Sequence, residues 1–149
     1  MENNITQEMQ DICGQILQIY KDNVNKASKQ LSDTAKYTIK WNDKYFRVYF
    51  ILQDYWKYVE VGTKPHFPPV DAIEEWIKVK PIVPYATNGK VPTTRQLAYM
   101  ISRSISEKGT KAYFPLRKSM DDSEQLINEL CNVIALELEK QIEKDIEEL

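Results

Sequence analysis

The sequence predicts an α+β fold: a small antiparallel sheet flanked by long N-terminal and C-terminal helices, with two short helices inserted. Three observations carry this. Apolar residues recur at three- and four-residue steps near both ends of the 149-residue chain. A period of two replaces them between Tyr37 and Ile51. Two shorter helical patterns, each preceded by a capping residue, follow the sheet. The length fits one domain, 1–149, divided into a helix over 1–36, a hairpin, strut and short helices over 37–116, and a helix over 117–149.

The first helical stripe runs Ile5, Met9, Ile12, Ile16, Tyr20, Val24, Ala27 and Leu31. It predicts a single long helix over residues 5–35, bent if anywhere at Gly14, where glycine costs about 1 kcal/mol relative to alanine. TAKYTIKW then alternates wet and apolar positions, and Asn42-Asp43 supplies turn chemistry. KYFRVYFIL is apolar on both faces, which predicts a central or doubly covered strand. Nine of the sixteen aromatics lie between Tyr37 and Tyr58. They are read either as core between sheet and helices or, in part, as a subunit interface.

Asp71 precedes AIEEWIKV with Glu74 three residues on, a capping-box pattern. Pro81, Pro84 and Pro92 bracket a loop whose Asn88-Gly89 is a turn signal. Thr93 and Gln96 form a second capping box, and Gly109 fits the stop of that helix. KAYFPL reads as an extended connector. The last helix is expected from about Asp122, with Leu126, Ile127, Leu130, Ile134, Leu138, Ile142 and Ile146 as its stripe.

Charge is uneven. Residues 121–149 carry ten acids and two lysines, a net of −8, against 18 bases and 12 acids before them, a net of +6. An acidic amphipathic helix repels phosphate. Cys13 and Cys131 sit in helical patterns far apart and are expected as buried free thiols in a reducing compartment. MENNITQEMQ has no basic and apolar leader pattern, and no run has the roughly 18 apolar residues of a membrane span.

Catalytic signals are thin. His66 is the sole histidine, so no imidazole cluster for a metal is expected, and the four glycines are scattered, so no phosphate-cradling loop or cofactor site is expected. Adjacent acids such as Glu74-Glu75 point about 100° apart on a helix. No catalytic residue is assigned, and an enzyme would need distant groups to converge, for instance His66 with Glu60.

The most conspicuous segment is YVEVGTKPHFPP, Tyr58 to Pro69. Pro65, Pro68 and Pro69 fix three φ angles and remove three backbone donors. Lys64, Phe67 and Pro68 precede prolines and are pushed to extended conformations. Lys64–Pro69 therefore reads as a stiff strut launched by a turn at Gly62. It is either a rigid corner, with Phe67 plugging its own core, or an arm that docks on a neighbouring subunit.

Tyr55, Tyr58, Val59, Glu60, Gly62, Thr63, Pro65, His66, Phe67, Pro68 and Pro69, then Ile73 and Trp76, then Ile101, Ile105 and Gly109, stand in an order that resembles the tail-completion proteins of long-tailed phages. This is the tail-component or minor-capsid family typified by the Hong Kong lambda-like phage. The likeness spans residues 55–116. Trp56, Lys64, Ser102, Ser104 and the proline-rich spacer 81–92 depart from the family's usual pattern. The resemblance implies a non-catalytic virion protein of the neck or tail, assembled in the host cytoplasm. It implies a homo-oligomeric ring, commonly of six copies, at the head–tail joint. The ring meets the connector or adaptor on one side and the tail tube or tail terminator on the other, and DNA passes through without sequence-specific binding and without a membrane. Glu60, Gly62, Thr63, Lys64, Pro65, His66, Phe67, Pro68 and Pro69 become candidate interface residues. The acidic last helix then faces either the lumen or solvent. A non-catalytic adaptor and a nucleic-acid-binding module are the alternative readings.

Overall fold

The computed structural model describes residues 4–80, 82–86 and 88–149. Pro81 of the proline-bracketed spacer and the first three residues of the polar N-terminal segment lie outside them. The fold is α+β, 61% helical, with seven helices and a two-stranded antiparallel sheet among the described residues. Internal contacts divide it into two compact units. One holds the chain up to Glu60 together with Tyr113–Leu149; the other is Val61–Ala112.

In the first unit, α1 spans Gln7–Asn25, capped by the Thr6 side chain, and α2 spans Lys29–Thr34. The expected single helix over 5–35 is thus corrected to two. The break falls at Lys26–Ser28, where Ser28 turns extended and its hydroxyl accepts from the Leu31 amide. A capping serine starts a new helix more readily than it extends an old one. Gly14 lies within α1 and stays helical, with the Tyr37 ring at ordinary contact distance beside it. With 19 residues, α1 is roughly 28 Å long at 1.5 Å per residue.

Strands β1 (Lys36–Trp41) and β2 (Phe46–Ile51) pair antiparallel, with Tyr37 opposite Phe50, Ile39 opposite Val48 and Trp41 opposite Phe46. The turn uses Asn42, whose Oδ1 accepts from the amides of Lys44 and Tyr45. The expectation that the second strand is covered on both faces is corrected. Its burial alternates, and Arg47, Tyr49 and Ile51 are exposed. A two-stranded sheet with helices on one side has only one dry face.

That dry face meets α1 and the long helix α7 (Glu124–Glu147). Met9, Ile12, Cys13, Ile16 and Leu130 are buried there, with Ile39, Val48, Leu126 and Ile134 packed around them. A second cluster gathers Leu17, Tyr20, Val24, Leu31 and Ala35. The last helix is also corrected: α6 (Pro115–Asp122) precedes α7, with Ser123 between them. KAYFPL is extended only to Phe114, because Pro115 takes the first helical position, where its missing N–H costs nothing. Cys131 is exposed, against expectation, since it lies off the α7 face that carries Leu130 and Ile134. A further short helix, α3 (Trp56–Val61), was not expected.

The second unit holds α4 (Val70–Val79) and α5 (Thr94–Lys108), which pack together. The capping box of Thr93 with Gln96 is complete, both bonds formed. The one expected at Asp71 is not. The helix begins at Val70 behind Pro69, so Asp71 lies inside the first turn and no side chain caps it. Asn88 and Gly89 take positive φ, as their turn requires. No described helix is long and apolar enough to cross a membrane.

A strut clasped by two glycine-threonine pairs

Each residue of the predicted site can be placed from the backbone upward. Glu60 closes α3 and is buried. Its two carboxylate oxygens accept from the amides of Leu116, at 2.7 Å, and Arg117, at 3.0 Å. The α6 N-terminus has no side-chain cap of its own, and Phe114 before it is left-handed at φ 51°. Glu60 therefore satisfies two amides that a helix start leaves unpaired, from 56 and 57 residues away in sequence. Sequence alone offered Glu60 as an interface residue or a partner of His66. Its carboxylate is committed within its own unit.

Gly62 and Gly109 open two Gly-Thr dipeptides that face each other. Thr63 and Thr110 form an isolated antiparallel bridge: each amide donates to the other's carbonyl, at 3.3 and 3.2 Å. Their hydroxyls lie 2.8 Å apart, and the Thr110 amide also reaches the Thr63 Oγ1 at 3.1 Å. Both glycines have φ near +70°. A side chain on Gly62 would overlap the Thr110 carbonyl oxygen, and one on Gly109 the Thr63 carbonyl oxygen. Glycine is required twice, for the left-handed backbone and for the close approach. Sequence reading assigned Gly62 to a turn and Gly109 to a helix stop. The repeated Gly-Thr dipeptide was the available signal that the two belong together.

From this clasp the strut runs Lys64 to Pro69 with no regular secondary structure. The His66 amide donates to the Ile105 carbonyl at 3.4 Å, a second tie to α5. Pro68 is buried, while Lys64, Pro65, His66, Phe67 and Pro69 are exposed. The His66 Nδ1 is 2.9 Å from the Lys64 carbonyl. A carbonyl only accepts, so the proton sits on Nδ1 and the ring is oriented by its own backbone. Phe67 is 52% exposed and does not plug a core. Its ring tilts against exposed Tyr99, centroids 6.0 Å apart.

Val70, Pro92, Arg95, Gln96, Tyr99 and Met100 line a shallow, mostly apolar groove in this unit. Arg95 donates to Asp71 and, at 3.1 Å, to Glu74, tying α5 to α4. These hydrogen bonds, Asp71 first, hold the guanidinium above its ordinary pKa. Among the described residues no group of three or more His, Cys, Asp or Glu side chains could hold a metal ion. The arrangement offers a proline-rich segment held at both ends, with Phe67 exposed along it, and an apolar groove. No family model, no curated protein and no solved structure matches this chain.

Proposed function

We propose that this protein is a structural, non-catalytic component of a tailed-phage neck, a tail-completion subunit that assembles into a ring through which DNA passes. The observation that supports the reading is Phe67. It stands half exposed against exposed Tyr99, on a strut tied down at the Thr63–Thr110 bridge and by the His66 amide. With Tyr99 and Met100, Phe67 makes a contiguous exposed apolar patch and not a lone surface side chain, the kind of surface that marks a contact site, and a rigid segment loses little entropy on docking. A ring needs heterologous contacts, one patch meeting a different patch on the next copy. The strut supplies the first patch, and the groove beside Tyr99 and Met100 is suited to be the second.

Light scattering over a concentration series tests this, with wild type beside His66→Ala/Phe67→Ala. Circular dichroism establishes that the variant is folded. The expected outcome is a ring-sized wild type and a variant that falls to monomer or dissociates at roughly tenfold higher concentration, about 1.4 kcal/mol per subunit contact. A folded variant with the mass of wild type at every concentration would remove the arm from the assembly.

A further inference from the structure

The wet face of the hairpin is basic. Lys36, Thr38 and Lys40 on β1 pair with Ile51, Tyr49 and Arg47 on β2, and all six are exposed. Lys44 and Tyr45 continue this surface at the turn. Lys40 lies 5.6 Å from the Tyr49 ring, and the Arg47 guanidinium 4.0 Å from the Tyr45 ring and 3.5 Å from the Tyr49 hydroxyl. None of these four cations has a carboxylate partner among the described ion pairs.

The same unit carries a complementary surface. Leu136, Glu139, Ile142, Glu143 and Ile146 of α7 share one helical face, at 100° per residue. The face turns away from the Leu130 and Ile134 stripe that packs on α1 and the sheet. All five are exposed, Ile142 at 49% and Ile146 at 62%. Lys140 and Lys144 point off this face, toward Glu137 and Glu148 respectively. Glu139 and Glu143 have no cationic partner among the described ion pairs. The expected burial of the stripe at Ile142 and Ile146 is thereby corrected.

We infer that this α7 face of one copy docks on the basic hairpin face of a second copy, Glu139 and Glu143 against Lys40 and Arg47, with Ile142 and Ile146 against Tyr49 and Ile51. The contact joins two copies, because α7 is one continuous helix whose first half packs on the sheet's opposite, dry face. It cannot also wrap to the wet one. The two patches differ, so the contact is heterologous and repeats from copy to copy. It deepens the ring reading while using none of the strut residues. Nucleic acid is the weaker occupant. One face of each tyrosine ring is already held by a cation, and a phosphate backbone brings nothing apolar to meet Ile51.

The test is a charge swap followed by light scattering at low salt. Lys40→Glu/Arg47→Glu and Glu139→Lys/Glu143→Lys are each expected to weaken self-association roughly tenfold or more, and the loss in wild type is expected to be reproduced by added salt. Mixed together, the two variants present an acidic hairpin to a basic helix and a basic hairpin to an acidic helix. The mixture is expected to regain association to within roughly threefold of wild type. No recovery on mixing, with both variants folded by circular dichroism, overturns the inference, as does unchanged mass in either variant alone. So does an outcome in which wild type stays monomeric while the hairpin variant alone loses affinity for a single-stranded oligonucleotide. Recovery on mixing that persists in the His66→Ala/Phe67→Ala background, with no closed ring, would keep this contact and discard the neck ring.

Discussion

The two compact units are held by different forces. Of the twelve buried hydrophobic side chains among the described residues, ten belong to the unit built from α1, α2, the hairpin, α6 and α7. Val61–Ala112 contributes two, Ile77 and Ala98. It leaves Phe67, Val79, Val83, Tyr85, Val91, Tyr99 and Met100 exposed. What it has instead is the Thr63–Thr110 bridge, the Arg95 link to Asp71 and Glu74, a complete capping box and prolines that limit the unfolded chain. One unit is organised by burial, and the other by hydrogen bonds and ion pairs around a much smaller core.

The sharpest way to break the first unit is to remove burial. Leu31 is fully buried at the junction of Val24, Ala35 and the sheet's aromatic edge. Leu31→Ala is expected to cost about 4 kcal/mol, by lost transfer energy and a residual cavity, read as a shift in urea midpoint at unchanged slope. A cost near 1 kcal/mol would mean the cluster collapses around the gap and the unit does not depend on close packing.

The second unit should break at its glycines. Gly109→Ala adds a Cβ that overlaps the Thr63 carbonyl oxygen at φ +72°, so the bridge must open. A loss of about 3 kcal/mol is expected, concentrated in amide-exchange protection of Thr63, His66 and Thr110. Gly89→Ala is the control. It has the same sign of φ but open space around it, so only left-handed strain remains, about 1 kcal/mol. Equal costs at the two sites would show that the clasp contributes nothing beyond the backbone preference.

How much of this could be read from the chain follows the range of each interaction. The Thr93–Gln96 box, the Asn42 turn and the hairpin pattern are settled within a few residues, and each appears as the sequence predicts. The break between α1 and α2 is local too, but the apolar spacing of Val24, Ala27 and Leu31 runs on across it and masks the capping signal of Ser28. Glu60 and the paired glycines were legible only as separate signals. Their partners lie 47 to 57 residues away, and nothing in a local pattern says which distant backbone a carboxylate will cap. The wet face of β1 is legible in its alternation, but that of β2 is hidden differently. KYFRVYFIL looks apolar throughout, because tyrosine and isoleucine score as core residues even where the register turns them outward.

Glu60 tests whether the burial-built unit also leans on one polar tie. Glu60→Gln keeps the shape but turns an NH2 toward either the Leu116 or the Arg117 amide, leaving a buried donor unpaired. The expected loss is about 2 kcal/mol, with faster exchange at those two amides. A neutral result would mean that water replaces the lost acceptor.

The smallest effect is chemical. Burial pushes the Cys13 thiol from 9.0 up to about 11, whereas Cys131 is exposed. At about pH 8 a maleimide should label Cys131 and spare Cys13 in the folded protein. The sign for stability follows from which state holds the proton. Between pH 9.0 and about 11 the unfolded chain ionises this thiol first and the folded chain keeps it neutral. Stability from this group is therefore complete below pH 9.0 and is lost as pH rises toward 11. Tyr20, pushed up to about 12 by burial first and then by the charge of Glu60, adds a loss of the same sign at higher pH. Cys13→Ala separates the two: its urea midpoint should fall less steeply over the lower part of that range than that of wild type. Parallel curves would show that the thiol titrates freely, and that the core around Met9 and Ile12 admits water.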